Sequence, residues 1–191
     1  DGPNSCDQSG FSVSLSNDGS ILAVGARGVE INGWPNCNSQ AGTTRIYQNI
    51  SGTWTQIGND IDGANTDRSG SSVSLSGNGN IVAIASPEAS AGTYYNSNNG
   101  SYENLNENGF VRVFENISGT WTQLGSNING EGDGDYSGRS MSLSDNGSVL
   151  AIGSANNDGN GSNSGHVIVF QYSSNSWIQI GSDIDGESAG D

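Results

Sequence analysis

Apolar and small polar residues alternate along Ser12-Val13-Ser14-Leu15, the period of a strand with one face against a core. The turn formers Ser16-Asn17-Asp18-Gly19 follow, and then a continuously apolar run, Ile21 to Val24, as expected of a strand covered on both faces. After a long loop, Thr44 to Gln48 is again β-prone, Asn49-Ile50-Ser51-Gly52 turns the chain, and Trp54 to Ile57 returns it. The pattern predicts four antiparallel strands. Gly, Ser and Asn interrupt every window in which a helix could be placed.

The same pattern recurs. Gly10–Gly25, Gly70–Ala85 and Gly138–Gly153 align as one block. A second block, after a loop of variable length, runs from Thr44, Val111 and Val167 to the Trp-X-Gln-X-Gly sequences at Trp54, Trp121 and Trp177. A repeat of roughly 60 residues with four strands has the size of a β-propeller blade, which buries too little alone and must stack on neighbours. The expected fold class is therefore all-β, with three four-stranded antiparallel blades: 1–61, 62–128 and 129–184, with 185–191 as the start of a further repeat or a tail. Three blades are fewer than the four to eight of a usual ring. Self-association or further propeller repeats are accordingly expected, the chain being an excerpt of a longer array, part of a ring closed by identical chains, or a filament unit.

The residues Ser9-Gly10-Phe11-Ser12-Val13-Ser14-Leu15 with Leu22-Ala23-Val24-Gly25-Ala26, and their two counterparts, resemble the FG-GAP type of propeller repeat. That resemblance implies integrin α-chain-like blades of secreted or surface proteins. Many such blades carry a calcium loop of spaced aspartates, but the turns Asn17-Asp18-Gly19, Gly77-Asn78-Gly79 and Asp145-Asn146-Gly147 are short for one.

Charge narrows the partners. Lys and Arg together number five, all Arg, against 20 acidic residues, a net charge of −15. Such a surface repels phosphate backbones and anionic lipid, so neither nucleic acid nor membrane insertion is expected. Cys6 and Cys37 suggest a disulfide in an exported, extracellular or cell-surface protein, since a zinc site would need more thiols or imidazoles near them.

A meander returns alternate connections to one end, so the links between repeats share an end with the variable loops 27–40, 87–108 and 155–165. Binding residues favour such loops. Trp34, Tyr94, Tyr95 and Tyr102 lie there without counterparts in the other repeats and are candidates for stacking on glycans. Asn156, Asp158 and Asn160 alternate before Gly161 like the first half of a calcium loop, although Val167 stands where its bidentate acid belongs. Asn49, Asn99, Asn116, Asn146 and Asn160 open N-glycosylation sequons. Asp7, Asp67 and Asp135 recur two residues before Ser-Gly and are expected to accept hydrogen bonds from their own turns.

No nucleophile–base pair, phosphate loop or metal motif is visible, and no cofactor is expected, calcium being the one candidate ion. His166, the only histidine, reads as a blade-surface residue. The expected function is that of a non-catalytic extracellular structural or adhesive module, with glycan binding as the alternative and a polysaccharide-active enzyme fragment ranked last.

Overall fold

The computed structural model describes residues 7–28, 41–64, 67–89, 92–96, 101–105 and 108–191. All regular structure among them is β. Blade 1 comprises β1 (Ser9–Leu15), β2 (Ile21–Ala26), β3 (Thr43–Ile50) and β4 (Thr53–Gln56), and a two-residue strand β5 (Ile61–Asp62) pairs with β3. Blade 2 follows with β6 (Ser72–Leu75) and β7 (Ile81–Ser86). A separate hairpin, β8 (Gly92–Asn96) and β9 (Ser101–Leu105), then precedes β10 (Phe110–Ile117), β11 (Thr120–Gln123) and β12 (Ile128–Asn129). Blade 3 is β13 (Ser140–Leu143), β14 (Val149–Ser154), β15 (His166–Ser173), β16 (Ser176–Gln179) and β17 (Ile184–Asp185). Every blade is an antiparallel meander in chain order, with the short fifth strand added to the third at the handover to the next repeat. The expected all-β architecture of propeller blades is what the chain adopts.

Local chemistry closes each hairpin in the same way. Ser16 Oγ donates to Asp18 Oδ1 at 2.7 Å and accepts the Ile21 amide at 2.9 Å. Ser76 with Asn78 and Ser144 with Asn146 repeat the arrangement. Gly19, Gly79 and Gly147 all take φ near +70°, a conformation in which a Cβ is unfavourable. The Asp18 carboxyl is lowered to about 2, chiefly by the Ser20 amide and then by the Ser16 and Ser20 hydroxyls. At the outer turns, Asn49 and Asn116 accept the amides of Gly52 and Gly119 at 2.8 and 2.7 Å.

The core lies between blades, not within them. One cluster joins Ile21, Ala23, Ile46 and Ile61 of blade 1 to Val73, Leu75, Val82, Ile84 and Phe114 of blade 2. The next joins Ala83, Ala85, Val111, Val113 and Ile128 of blade 2 to Leu143, Leu150 and Ile152 of blade 3. Polar stitches repeat with the same period. The Leu75 and Leu143 amides donate to Ser14 Oγ and Ser74 Oγ, both at 3.0 Å, so β1, β6 and β13 stand side by side as inner strands. Trp121 and Trp177 donate from Nε1 to the Ile57 and Leu124 carbonyls of the preceding blade, at 3.0 and 2.9 Å. Trp121 and Trp177 are thus inter-blade clamps.

Candidate functional site

At the link end of the inner strands all three blades contribute to one cavity of about 220 Å³. Blade 1 supplies Phe11 and Arg27, blade 2 supplies Ser71, Pro87 and Glu88, and the link into blade 3 supplies Tyr136 and Arg139. These are few repeat positions used several times: aligned on the Ser-Gly pairs, Phe11, Ser71 and Arg139 are equivalent, as are Gln8, Arg68 and Tyr136. The latter three share φ of 52°, 48° and 53°, a left-handed backbone uncommon for residues with a side chain. The local hydrogen bonds explain why each blade tolerates it: the Phe11 and Arg139 amides donate back to the Gln8 and Tyr136 carbonyls, and Ser71 Oγ donates to the Arg68 carbonyl. The turn brings Phe11, Ser71, Tyr136 and Arg139 to the mouth, with Gln8 and Arg68 bonded to its lining residues Arg27 and Glu88.

Electrostatically this mouth is the exception in an acidic chain. Arg27 and Arg139 line it with the acid Glu88, and Arg68 pairs with that acid, so three of the five arginines gather here. Arg27 Nη1 meets Glu88 Oε1 at 3.3 Å, and Arg68 Nη1 pairs with Glu88 Oε2. Arg27 also donates from Nε to Gln8 Oε1 at 3.0 Å and lies 4.3 Å from the Phe11 ring centre. Arg139 lies 5.8 Å from the ring centre of Tyr136. Two guanidinium groups share one carboxylate while the exposed Arg139 lies over an aromatic face, so the cluster keeps an excess of positive charge. A planar, multidentate cation of this kind suits a carboxylate or phosphate.

A second polar corner recurs where each link crosses the third strand. In blade 1, Arg45 grips Asp60 Oδ2 through Nε at 2.9 Å and Nη2 at 2.7 Å, while Gln56 Nε2 donates to Asp60 Oδ1 at 2.7 Å. The Arg45 hydrogen bond is the main cause holding the Asp60 carboxyl below the ordinary carboxylate range. Arg45 and Asp60, with Asp7, Thr43 and Asp62, line a cavity of about 410 Å³. In blade 2, Arg112 takes the equivalent place and donates from Nη2 to the Asp62 carbonyl and to Ser69 Oγ, each at 3.1 Å. Burial lowers its guanidinium pKa, and its Nε is buried without a partner. In blade 3, Ile168 replaces the arginine, and His166, Asp183 and Glu131 lie together instead. One possible metal-ligand atom from each falls within 4.8 Å of the others. His166 is buried, contrary to the blade-surface placement expected from the sequence.

The sequence-predicted residues are distributed differently. Tyr94 and Tyr95 lie on β8 and Tyr102 on β9, so regular structure stands where an irregular loop was expected. The side chains of these tyrosines, and Trp34, Cys6, Cys37 and Asn99, lie outside the described residues. Asp158 Oδ1 accepts the Asn163 amide at 2.7 Å, and Asn160 Nδ2 donates to the Gly186 carbonyl at 2.9 Å, so both are engaged in loop hydrogen bonds. Asn156 is partly buried in the same loop. Asn146 and Asn160 are exposed. Asp67 Oδ2 accepts the Ala64 amide and Asp135 Oδ2 the Gly132 amide, so both serve their own turns.

The mouth lies at the predicted end of the blades, but none of its arginines was singled out in the sequence. The available signal was divergence at a few positions inside an otherwise constant repeat.

No protein-family model matches the chain, and no curated protein matches it. Solved structures do. A Bacteroides fragilis protein described as a candidate 6-phosphogluconolactonase is 14% identical, with a TM-score of 0.53 over 92% of this chain and 40% of its own. Saccharomyces cerevisiae Sqt1 is 12% identical, with a TM-score of 0.52 over 93% of this chain and 36% of its own. The tricorn protease is 10% identical, with a TM-score of 0.52 over 88% of this chain and 18% of its own. The chain thus spans less than half the length of these structures. At such identities the likeness shows a β-propeller fold. It also corrects the expectation of a non-catalytic structural or adhesive module: proteins named as a lactonase and a protease contain this arrangement of blades. The shortage of local catalytic motifs therefore does not mark a scaffold, because blades bring together residues that are distant in sequence.

Proposed function

We propose that this chain supplies the anion-binding part of a propeller enzyme acting on a negatively charged, sugar-sized substrate, with a phosphorylated or carboxylated sugar lactone as the class. The observation that carries the reading is that Arg27 and Arg139 line one mouth, with Arg68 paired to its lining acid Glu88, in a chain of net charge −15. A dispersed surface would leave those arginines to solvate a largely acidic molecule. Gathered, they offset the field that would otherwise repel an anion. The lactone class draws on the name of the Bacteroides fragilis protein with the same fold. Hydrolysis of a lactone adds water to the ring carbonyl, breaks the ring C–O bond and yields a carboxylate, so both substrate and product would present anionic oxygens to the arginines.

Further blades of the same repeat are taken to complete the ring, because Val13 and Leu15 of blade 1 and Ile184 of blade 3 are exposed at positions that are covered between blades. The FG-GAP assignment of the blades, with an extracellular location, rests on the Ser-Gly-Phe-Ser-Val-Ser-Leu type of motif.

The test is binding of 6-phosphogluconate and gluconate to the purified chain by calorimetry, with hydrolysis of the corresponding lactones followed alongside. The phosphorylated ligand is expected to bind more tightly. Arg139→Ala should weaken it by about tenfold or more, the usual scale for a hydrogen bond to a charged group. Absence of both binding and turnover, or equal affinity in Arg139→Ala, would overturn the reading.

A further inference from the structure

At the handover from blade 2 to blade 3, three segments distant in sequence converge on the only histidine of the chain. His166 opens β15 and is 6% exposed, Glu131 follows β12 in the link, and Asp183 precedes β17. An imidazole nitrogen and one carboxylate oxygen from each acid all lie within 4.8 Å of one another. The imidazole makes no hydrogen bond or ion pair with the described residues. The ring nitrogens are not among the fully buried polar atoms that lack a partner, so they stay within reach of an ion from outside while two acids face them.

The repeat supplies an independent reason. In blade 1 Arg45 neutralises Asp60, and in blade 2 the equivalent residue is the neutral Asn127. Blade 3 keeps the acid, Asp183, but has Ile168 in place of the arginine, and Glu131 adds a second negative charge. Among the described residues no cation balances them. The position of His166 is Thr43 in blade 1 and Phe110 in blade 2, so the imidazole and the unneutralised acids occur in the same blade.

We propose that Glu131, His166 and Asp183 bind one divalent transition-metal ion of the zinc class. Imidazole with two carboxylates is a donor set for a borderline ion and not for magnesium or calcium, which favour oxygen throughout. Ligand atoms around a tetrahedral zinc are roughly 3.4 Å apart, so from separations within 4.8 Å the triad closes by at most about 1.4 Å on binding. Glu131 is exposed, with no hydrogen bond to its side chain among the described residues, and so has room to make that movement. The other two ligands are held. β15 is paired to β14 and β17 on either side of His166, and Gln179 Nε2 donates to Asp183 Oδ1 at 2.6 Å, leaving Oδ2 for the ion. A hydrogen bond to the distal oxygen of a ligating carboxylate orients it for the metal. The ion would tie the inter-blade link to the third strand of blade 3, as Arg112 ties it through Asp62 and Ser69 in blade 2.

The single imidazole gives an unambiguous signal. Long-range proton–nitrogen spectra of the ¹⁵N-labelled chain, titrated with zinc chloride in buffered saline, should show one ring nitrogen shifting and saturating at one equivalent. Glu131→Gln and Asp183→Asn should each need about tenfold more zinc or beyond for the same shift, with backbone amide spectra unchanged. Glu131 lies on the surface, so that variant carries the test even if Asp183→Asn unfolds. An imidazole that zinc does not move would overturn the proposal. So would equal zinc affinity in Glu131→Gln and the parent chain.

Discussion

The faces between blades and the two faces at the ends of the array are built from the same residues at the same repeat positions, yet they meet different surroundings. Leu75 and Leu143 are 6% and 8% exposed, while Leu15 is 57% exposed. Ile61 and Ile128 are covered by the following blade, while Ile184 is 62% exposed. Trp121 and Trp177 donate across a blade interface, whereas Trp54 at the first face is exposed. The difference teaches that burial in this fold belongs to a pair of blades and not to a blade. A sheet one strand-layer thick has no interior of its own.

Substitution at equivalent positions separates these environments. The largest contrast is expected at the inner strand: Leu75→Ala should cost about 2–5 kcal/mol by urea unfolding, as a buried leucine truncation does, and Leu15→Ala less than about 1 kcal/mol. If the cost of Leu15→Ala instead grows with protein concentration, the open face is being covered by another copy. A smaller contrast is expected at the clamp. Trp177→Phe loses the bond to the Leu124 carbonyl and should be destabilised by about 1 kcal/mol more than Trp54→Phe, measured the same way.

The smallest effect concerns pH at the Arg45–Asp60 corner. Because Asp60 titrates lower when folded than when unfolded, its contribution is full above the unfolded carboxylate pKa near 4 and fades as pH falls through the lowered folded value. The unfolding midpoint of the parent chain should therefore fall as the medium is acidified below pH 4, and Asp60→Asn should make that slope shallower. Equal slopes would show that the pair contributes nothing to the pH dependence, as its partial exposure to solvent permits.

Much of the fold was legible because repetition exposes it. Ser16-Asn17-Asp18-Gly19 and its counterparts mark the tight turns, alternation marks β1, β6 and β13, and Trp54, Trp121 and Trp177 mark a common packing position. The strand pair Gly92–Asn96 and Ser101–Leu105 was not legible, since it interrupts the repeat and the Gly, Ser and Asn content of that stretch reads as loop. The arginine mouth was not legible either. Arg27, Arg68 and Arg139 occupy different positions of the repeat in different blades, and only the side-by-side stacking of inner strands brings them together. His166 sat beside a predicted strand with no partner in reach along the chain, and its acids are 35 residues before and 17 after it.

The sequence by itself determined the hairpins, the period and the excess of negative charge, because each depends on neighbouring residues or on composition. Tertiary structure decided which of the equivalent apolar residues are buried, where the scarce positive charge collects, and that two acids from separate links face one imidazole. Those outcomes require segments from different blades to approach within a few ångströms. Such an approach depends on how one blade is set against the next, a quantity no local pattern of residues encodes.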